Sequence, residues 1–519
     1  MNYPSIFNDV IGPVMRGPSS SHCAGALRIG RLARDLMQGG KLTEVLLEFD
    51  QFGSLATTHT SQGSDMGFAG GLLGWDTTDL RMADAEKELQ REGISISYVV
   101  GQYQMDHPNT YQITLTSTIE KKVIQAVSTG GGMVEIISID SFPISIEGDF
   151  FETLLFTSSA DINFDFHSVI GAGDILNILN SKDGFCIQLK TQEPIGEDTI
   201  TAIGSLDDVK GIKNLLPVLP VHSRRDITVP FASYKEMVEY NRGKNYLLSE
   251  LAIAYEGQRG NIKPSEVVAK MENIVDILVK SIAEGLAGTE YDDRILGCQS
   301  AGFAEAMKSG KLLGSTVLNT MTLYVSSLME VKSSMGIIVA APTAGACAGL
   351  PGAVLGAVDA LELTRDHAVR GMLAAGLIGV FIAMDSTFAA EVCGCQAECG
   401  SASGMAAAAL AEMGDATAEQ SVSAASMALQ NILGMICDPV ANRVEVPCLT
   451  KNALAASNGL TCANMALAGF DAVIPLDEVI QTMDQVGRSI APELRCTALG
   501  GLSITKTAKT IETQLTQPH

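Results

Sequence analysis

The chain has 519 residues, too many for one hydrophobic core, so two or three domains are expected. Hydrophobic residues make up 46% and charged residues 18%, which excludes a disordered chain. The formal net charge of −24 argues against nucleic-acid and anionic-membrane partners, which need a basic face, and leaves a small zwitterionic substrate open.

Eleven cysteines over this length are not a disulfide scaffold, and Met1-Asn-Tyr-Pro-Ser does not open a signal peptide. Reduced thiols in a cytoplasmic protein are expected. Residues 1–225 read as mixed α and β. Strands are expected at Glu44–Phe52, Ile94–Val100, around Tyr111, Ile113 and Leu115, at Val123–Val127 and at Val134–Ile139, with Gly130-Gly131-Gly132 as a turn. Within 151–225, a strand (153–156), a helix (168–180), a strand (185–190), a helix (205–215) and a last strand predict a small ferredoxin-type layer. The stretch from His222 to Ile227 reads as a linker. Beyond it strand signals almost vanish.

Residues 226–519 are expected to form an all-α domain. Pro264-Ser265-Glu266 starts a helix whose face is Val267, Met271, Ile274, Val275, Leu278 and Ile282, with Gly288 as its stop. Further helices are expected at 366–388, 403–413, 417–434, 450–468 and 476–490. The longest uncharged run, Ser333 to Val358, has the length of a membrane span. It is Ala- and Gly-rich and broken by Pro342 and Pro351, so burial is the expectation and a membrane partner is not.

Four stretches carry candidate chemistry. Gly17-Pro18-Ser19-Ser20-Ser21-His22 ahead of a helix can offer hydroxyls, backbone N–H groups and one imidazole, or be an ordinary cap with a surface histidine. Gly53 to Asp65, holding His59, suits a binding loop or a solvated turn. Ala340-Ala341-Pro342-Thr343-Ala344-Gly345 can grip a carboxylate, or simply break a helix. The fourth stretch, Glu391 to Ala455, holds Cys393, Cys395, Cys399, Cys437 and Cys448 and no histidine. A thiol-only set favours a soft metal centre, an iron–sulfur cluster or a four-sulfur zinc site, against the alternative of buried free thiols.

Taken together these strings resemble the iron–sulfur-dependent L-serine dehydratases (L-serine ammonia-lyases). Residues to about 220 look like the β subunit of two-subunit members and those from about 228 like the α subunit, fused in one chain. The strings that carry the resemblance are 17–22, 24–30, Gly53-Ser54-Leu55-Ala56, His107-Pro108-Asn109-Thr110 and the triple glycine in the first part. In the second they are 340–345, Gly394-Cys395-Gln396, Cys437-Asp438-Pro439-Val440, Val446-Pro447-Cys448 and Lys451-Asn452-Ala453. The resemblance implies conversion of L-serine to pyruvate and ammonia, in amino-acid catabolism and gluconeogenesis, without pyridoxal phosphate. L-Threonine or L-cysteine as substrate, or a non-catalytic thiol or zinc protein, are the alternatives.

It implies a [4Fe–4S] cluster on Cys395, Cys437 and Cys448 with one iron open to substrate. Cys347, Cys393 and Cys399 are then packing or neighbouring thiols. The catalytic group is expected to be His22 with Ser20 and Ser21. Ser19, Thr343, Ala344, Gly345 and Asn452 are expected at the substrate. Residues 151–225 are placed where relatives carry an ACT-like unit, and a homodimer is expected. The chain departs from the family in the Thr58–Asp65 loop, at Cys23, at Arg443, and in a C-terminal tail without cysteine.

Overall fold

The computed structural model describes residues 3–515; the cysteine-free tail end lies outside them. The first half is built on a six-stranded sheet covered by α1 (Gly25–Leu36) and α2 (Ser64–Leu72). Its strands are β1 (Leu42–Asp50), β2 (Ser95–Gly101), β3 (Thr110–Ser117), β4 (Lys121–Gly130), β5 (Met133–Ile139) and β6 (Phe142–Ile146), in the order β2-β1-β3-β4-β5-β6. Only β1 and β2 run parallel, and α2 and α3 (Ala85–Arg91) lie in the crossover that a parallel pair requires. Tyr111, Ile113 and Leu115 are buried while Gln112, Thr114 and Thr116 are half-exposed, the alternation read from the sequence. The triple glycine makes the β4–β5 turn with φ of +112°, +61° and +92°, backbone that side chains disfavour.

The next unit differs from expectation. Its strands are β7 (Phe151–Thr157), β8 (Ile175–Ser181), β9 (Gly184–Thr191) and β10 (Val209–Leu215), antiparallel in the order β10-β7-β9-β8. One helix, α4 (Glu197–Gly204), crosses them. The helix expected at 168–180 is irregular up to strand β8 at Ile175, and that expected at 205–215 is strand from Val209. In both, apolar residues recur at helical spacing, yet Gly171, Gly173 and Gly211 interrupt them, and each strand pairs along an open edge, β8 on β9 and β10 on β7. Nor is the unit separate: Leu154, Cys186 and Leu215 pack into the core of the six-stranded sheet.

The second half is helical: α5 (Leu248–Gly260), α6 (Pro264–Ala287), α7 (Thr316–Ser333), α8 (Gly349–Ala360), α9 (Arg365–Asp385), α10 (Ser401–Met413), α11 (Ala418–Gln430), α12 (Cys448–Leu467), α13 (Leu476–Ser489) and α14 (Lys506–Leu515), with shorter turns between. All six expected face residues of α6 are buried and Gly288 follows its end. Burial of such a side chain contributes roughly 1.5–3 kcal/mol. The 333–358 run is cut by a two-residue strand, a turn and α8. Glycines bring α8 onto α7: a Cβ on Gly352 would stand 2.6 Å from Val325 and one on Gly356 2.6 Å from Met321. Among the described residues one helix, α9, is long and apolar enough to span a membrane, and 78% of its most apolar 18-residue stretch is buried inside the protein.

The halves interlock. Val14–Met15 pairs antiparallel with Ile338–Val339. Ile6 and Val10 pack on α9 where Gly376 and Gly379 leave room. The fully buried Glu256 of α5 accepts from the Ser5 hydroxyl at 2.5 Å and the Ile6 N–H at 2.8 Å. Residues 6–15 therefore belong to the helical core rather than to the sheet.

Candidate active site

Ser19, extended, leads into a wide helical turn, Ser20–Ala24, and then α1. The Ser19 hydroxyl accepts from the His22 N–H at 3.3 Å and lies 3.1 Å from His22 Nδ1. His22 is fully buried. Its Nε2 is 2.8 Å from Thr58 Oγ1, which spends its own proton on the Ser54 carbonyl at 2.7 Å. Thr58 must therefore accept, so the ring proton sits on Nε2 and Nδ1 carries the lone pair. Burial, aided by the nearby His59 charge, lowers the His22 pKa to about 3, which keeps the ring neutral. Nδ1 faces Glu391 Oε1 at 3.5 Å. Burial raises the Glu391 carboxyl above its ordinary range.

The Thr343 turn comes to the same place. The Ala344 N–H donates to Ser20 Oγ at 3.2 Å, joining the halves across 324 residues of sequence. Thr343 Oγ1 accepts from the Ala346 N–H at 3.2 Å and donates to Glu398 Oε1 at 2.7 Å. A side chain on Gly345 would meet that same oxygen at 3.0 Å. Asn452 locks the turn: Nδ2 donates to the Gly345 and Cys448 carbonyls, both at 2.8 Å, while Oδ1 accepts from Ala348 and Gly349. Its amide is fully engaged by protein. Ser21 is buried, and its carbonyl accepts from Ser128 Oγ at 2.7 Å.

Cys395, Cys437 and Cys448 are all buried. Donor atoms of Cys395, Cys437 and Glu398 lie within 4.8 Å of one another. Hydrogen bonds from the Cys399 and Cys437 thiols hold the Cys395 pKa well below its ordinary value. Burial, and then the charge on Cys395, raise that of Cys448. Burial opposes the Lys451 ammonium, but the charges of Cys395, Cys437 and Cys448 outweigh it and raise its pKa. Lys332, also buried, donates to the Val444 carbonyl. Several soft donors, buried together and balanced by ammonium groups, fit an iron–sulfur group. Cys393 turns away toward Asp484 Oδ1, 3.7 Å distant.

The comparisons with known proteins decide the family. Residues 235–503 match the Serine dehydratase alpha chain family and residues 9–136 the Serine dehydratase beta chain family.

The chain belongs to the serine dehydratase family.

It is 37% identical over 286 residues to a probable L-serine dehydratase alpha chain of Bacillus subtilis (strain 168), covering 55% of this chain and 95% of that one. It is 41% identical over 149 residues to the probable beta chain of the same organism, covering 29% of this chain and 66% of the relative. L-serine dehydratase 1 of Escherichia coli (strain K12) is 26% identical over 501 residues, 94% of this chain and 96% of that one. Both chain types are therefore fused here in one serine dehydratase polypeptide.

Several groups at the site went unread in the sequence. Thr58 and Glu398 become visible only as partners of His22 and Thr343. Glu391 and Glu398 had one available signal: they are charges beside thiols in an otherwise small and apolar stretch. Cys496 was missed entirely. Its thiol is a hydrogen-bond partner of Cys437 and accepts from Gln62 Nε2 at 3.4 Å, and its N–H donates to the Cys437 carbonyl at 3.0 Å. His59 is instead tied to Asp65 at 2.7 Å, and Arg443 to the Ser61 carbonyl at 3.3 Å and to Asp293.

Proposed function

We propose that this serine dehydratase converts L-serine to pyruvate and ammonia. The observation that carries the reading is a run of buried contacts from the Ser19–His22 turn to the thiols: Ser20 to Ala344 N–H, Thr343 to Glu398, and Glu398 Oε2 to Cys395 Sγ at 3.9 Å.

Cys395, Cys437 and Cys448 would hold a [4Fe–4S] cluster. When bound, such a cluster supplies a Lewis-acidic iron for the β-hydroxyl, an effect worth several kcal/mol. The protein's own groups do the rest. The Thr343-Ala344-Gly345 turn, with Ser19, takes the substrate carboxylate, and Asn452 holds that turn in place. His22 Nδ1, the unprotonated nitrogen, takes the α-proton once the Ser19 hydroxyl turns from it to the carboxylate, while Ser20 and Ser21 shape the wall beside it. Loss of that proton and of the β-hydroxyl as water leaves an enamine, which tautomerises and hydrolyses to pyruvate and ammonia. Residues 1–150 and 226–519 each supply one wall. The 151–225 unit reads as an ACT-like regulatory layer, a reading supported by its strand order and weakened by the missing first helix.

The test is an anaerobic assay for pyruvate from L-serine, with iron measured on the same sample. Iron-loaded protein that yields no pyruvate refutes the reading.

A further inference from the structure

We propose that Asn109 and Glu391 receive the α-ammonium group of the substrate, and that this pair makes the site select 2-amino acids over the corresponding 2-hydroxy acids. The inference rests on the lyase reading above for where the substrate lies. Its evidence, however, is a separate set of atoms.

Asn109 is 1% and Glu391 7% exposed. Among the described residues, Asn109 Oδ1 and Glu391 Oε2 are buried without a hydrogen-bond partner. The Asn109 amide is a hydrogen-bonding neighbour of the Glu391 carboxyl and has a second N–H to spare. Buried polar atoms are nearly always paired in folded proteins, so two orphan acceptors on touching side chains point to a polar guest. The available acceptors, one carboxylate oxygen and one amide oxygen, match an ammonium group, which donates three hydrogen bonds and accepts none. Asn109 Nδ2 is left to donate to the guest's carboxylate.

The position matches as well. An α-amino acid carries its ammonium and its α-proton on the same carbon, so the groups that handle them must be neighbours. Glu391 Oε1 is 3.5 Å from His22 Nδ1, the unprotonated ring nitrogen. Asn109 enters from the first half, just ahead of β3, and Glu391 from the turn before Cys395, so the receptor exists only where the halves meet. A cleft of about 510 Å³, lined by Ser54, His107, Pro108, Thr387, Glu391 and Arg495, leads there from solvent.

The test uses two ligands with no leaving group at Cβ, so neither is consumed. L-Alanine keeps the ammonium; L-lactate replaces it with a hydroxyl. Calorimetry on the anaerobic, iron-loaded full chain is expected to show L-alanine binding more tightly. In Glu391→Gln its affinity falls about 10- to 100-fold, the range for losing a charged hydrogen bond, while L-lactate stays within about threefold. The KM for L-serine rises more than kcat falls. Equal losses for both ligands, or no loss for either, overturn the proposal. Should Glu391→Gln not fold, Asn109→Ala removes the other acceptor and is read the same way. Wild-type protein that makes no pyruvate but prefers L-alanine refutes the lyase reading and supports this one. Pyruvate formation with an unchanged preference in Glu391→Gln overturns this proposal alone.

Discussion

The replacement His22→Asn tests the core of the mechanism. Asparagine keeps a polar atom near Nδ1, against Ser19, but cannot reach Thr58, 2.8 Å beyond the far side of the ring. Stability loses one buried hydrogen bond and a small volume, a cost of about 1–3 kcal/mol, which a chain of this size should survive folded. Turnover loses its base, a factor of about 10²–10⁴, or roughly 3–5 kcal/mol of barrier. Anaerobic pyruvate formation, thermal unfolding and visible absorbance on one preparation separate the two effects. The pH dependence adds an independent check. With its folded pKa lowered to about 3 from the ordinary 6.5, His22 binds fewer protons folded than unfolded between those values. Its contribution to stability is thus fully present above pH 6.5 and is lost as pH falls toward 3, at about 1.4 kcal/mol per pH unit. The asparagine variant should lack that component of the acid slope, and wild-type kcat/KM should show no histidine limb near pH 6.5. A folded, iron-loaded His22→Asn protein turning over within about threefold of wild type would refute the assignment.

The thiol assignment predicts that Cys395→Ser, Cys437→Ser and Cys448→Ser each lose iron and visible absorbance, while Cys347→Ser and Cys393→Ser keep both; elemental analysis decides, and full iron in Cys448→Ser removes that residue from the ligand set. Ser20→Ala strips the Ala344 N–H of its acceptor, so stability should fall by about 1–3 kcal/mol and the KM for L-serine should rise; an unchanged KM would show that the link does not hold the carboxylate turn. A Cβ at Gly379 would stand 2.0 Å from Val10 Cγ1. Gly379→Ala should therefore cost about 1–3 kcal/mol in urea unfolding, and a neutral result would show that residues 6–15 do not pack as described.

Local pattern carried much of the fold. The alternation in β3 and the face of α6 were legible because side-chain period is set by the backbone alone. The two misread helices of the small unit show the limit of that signal: apolar residues at helical spacing became strands because β7 and β9 each had an edge to pair. The cysteine strings and the Ser–His string were equally legible, being short and contiguous.

What the sequence by itself determined is thus the inventory: a helical half with clustered thiols, a sheet half with a serine–histidine turn ahead of a helix, and the family. Only the tertiary structure decided who meets whom. Glu391 stands beside His22, Ala344 beside Ser20, and Cys496 beside Cys437 because loops far apart in the chain close on one cleft. Such contacts depend on the packing of whole helices and sheets, and no local periodicity encodes them.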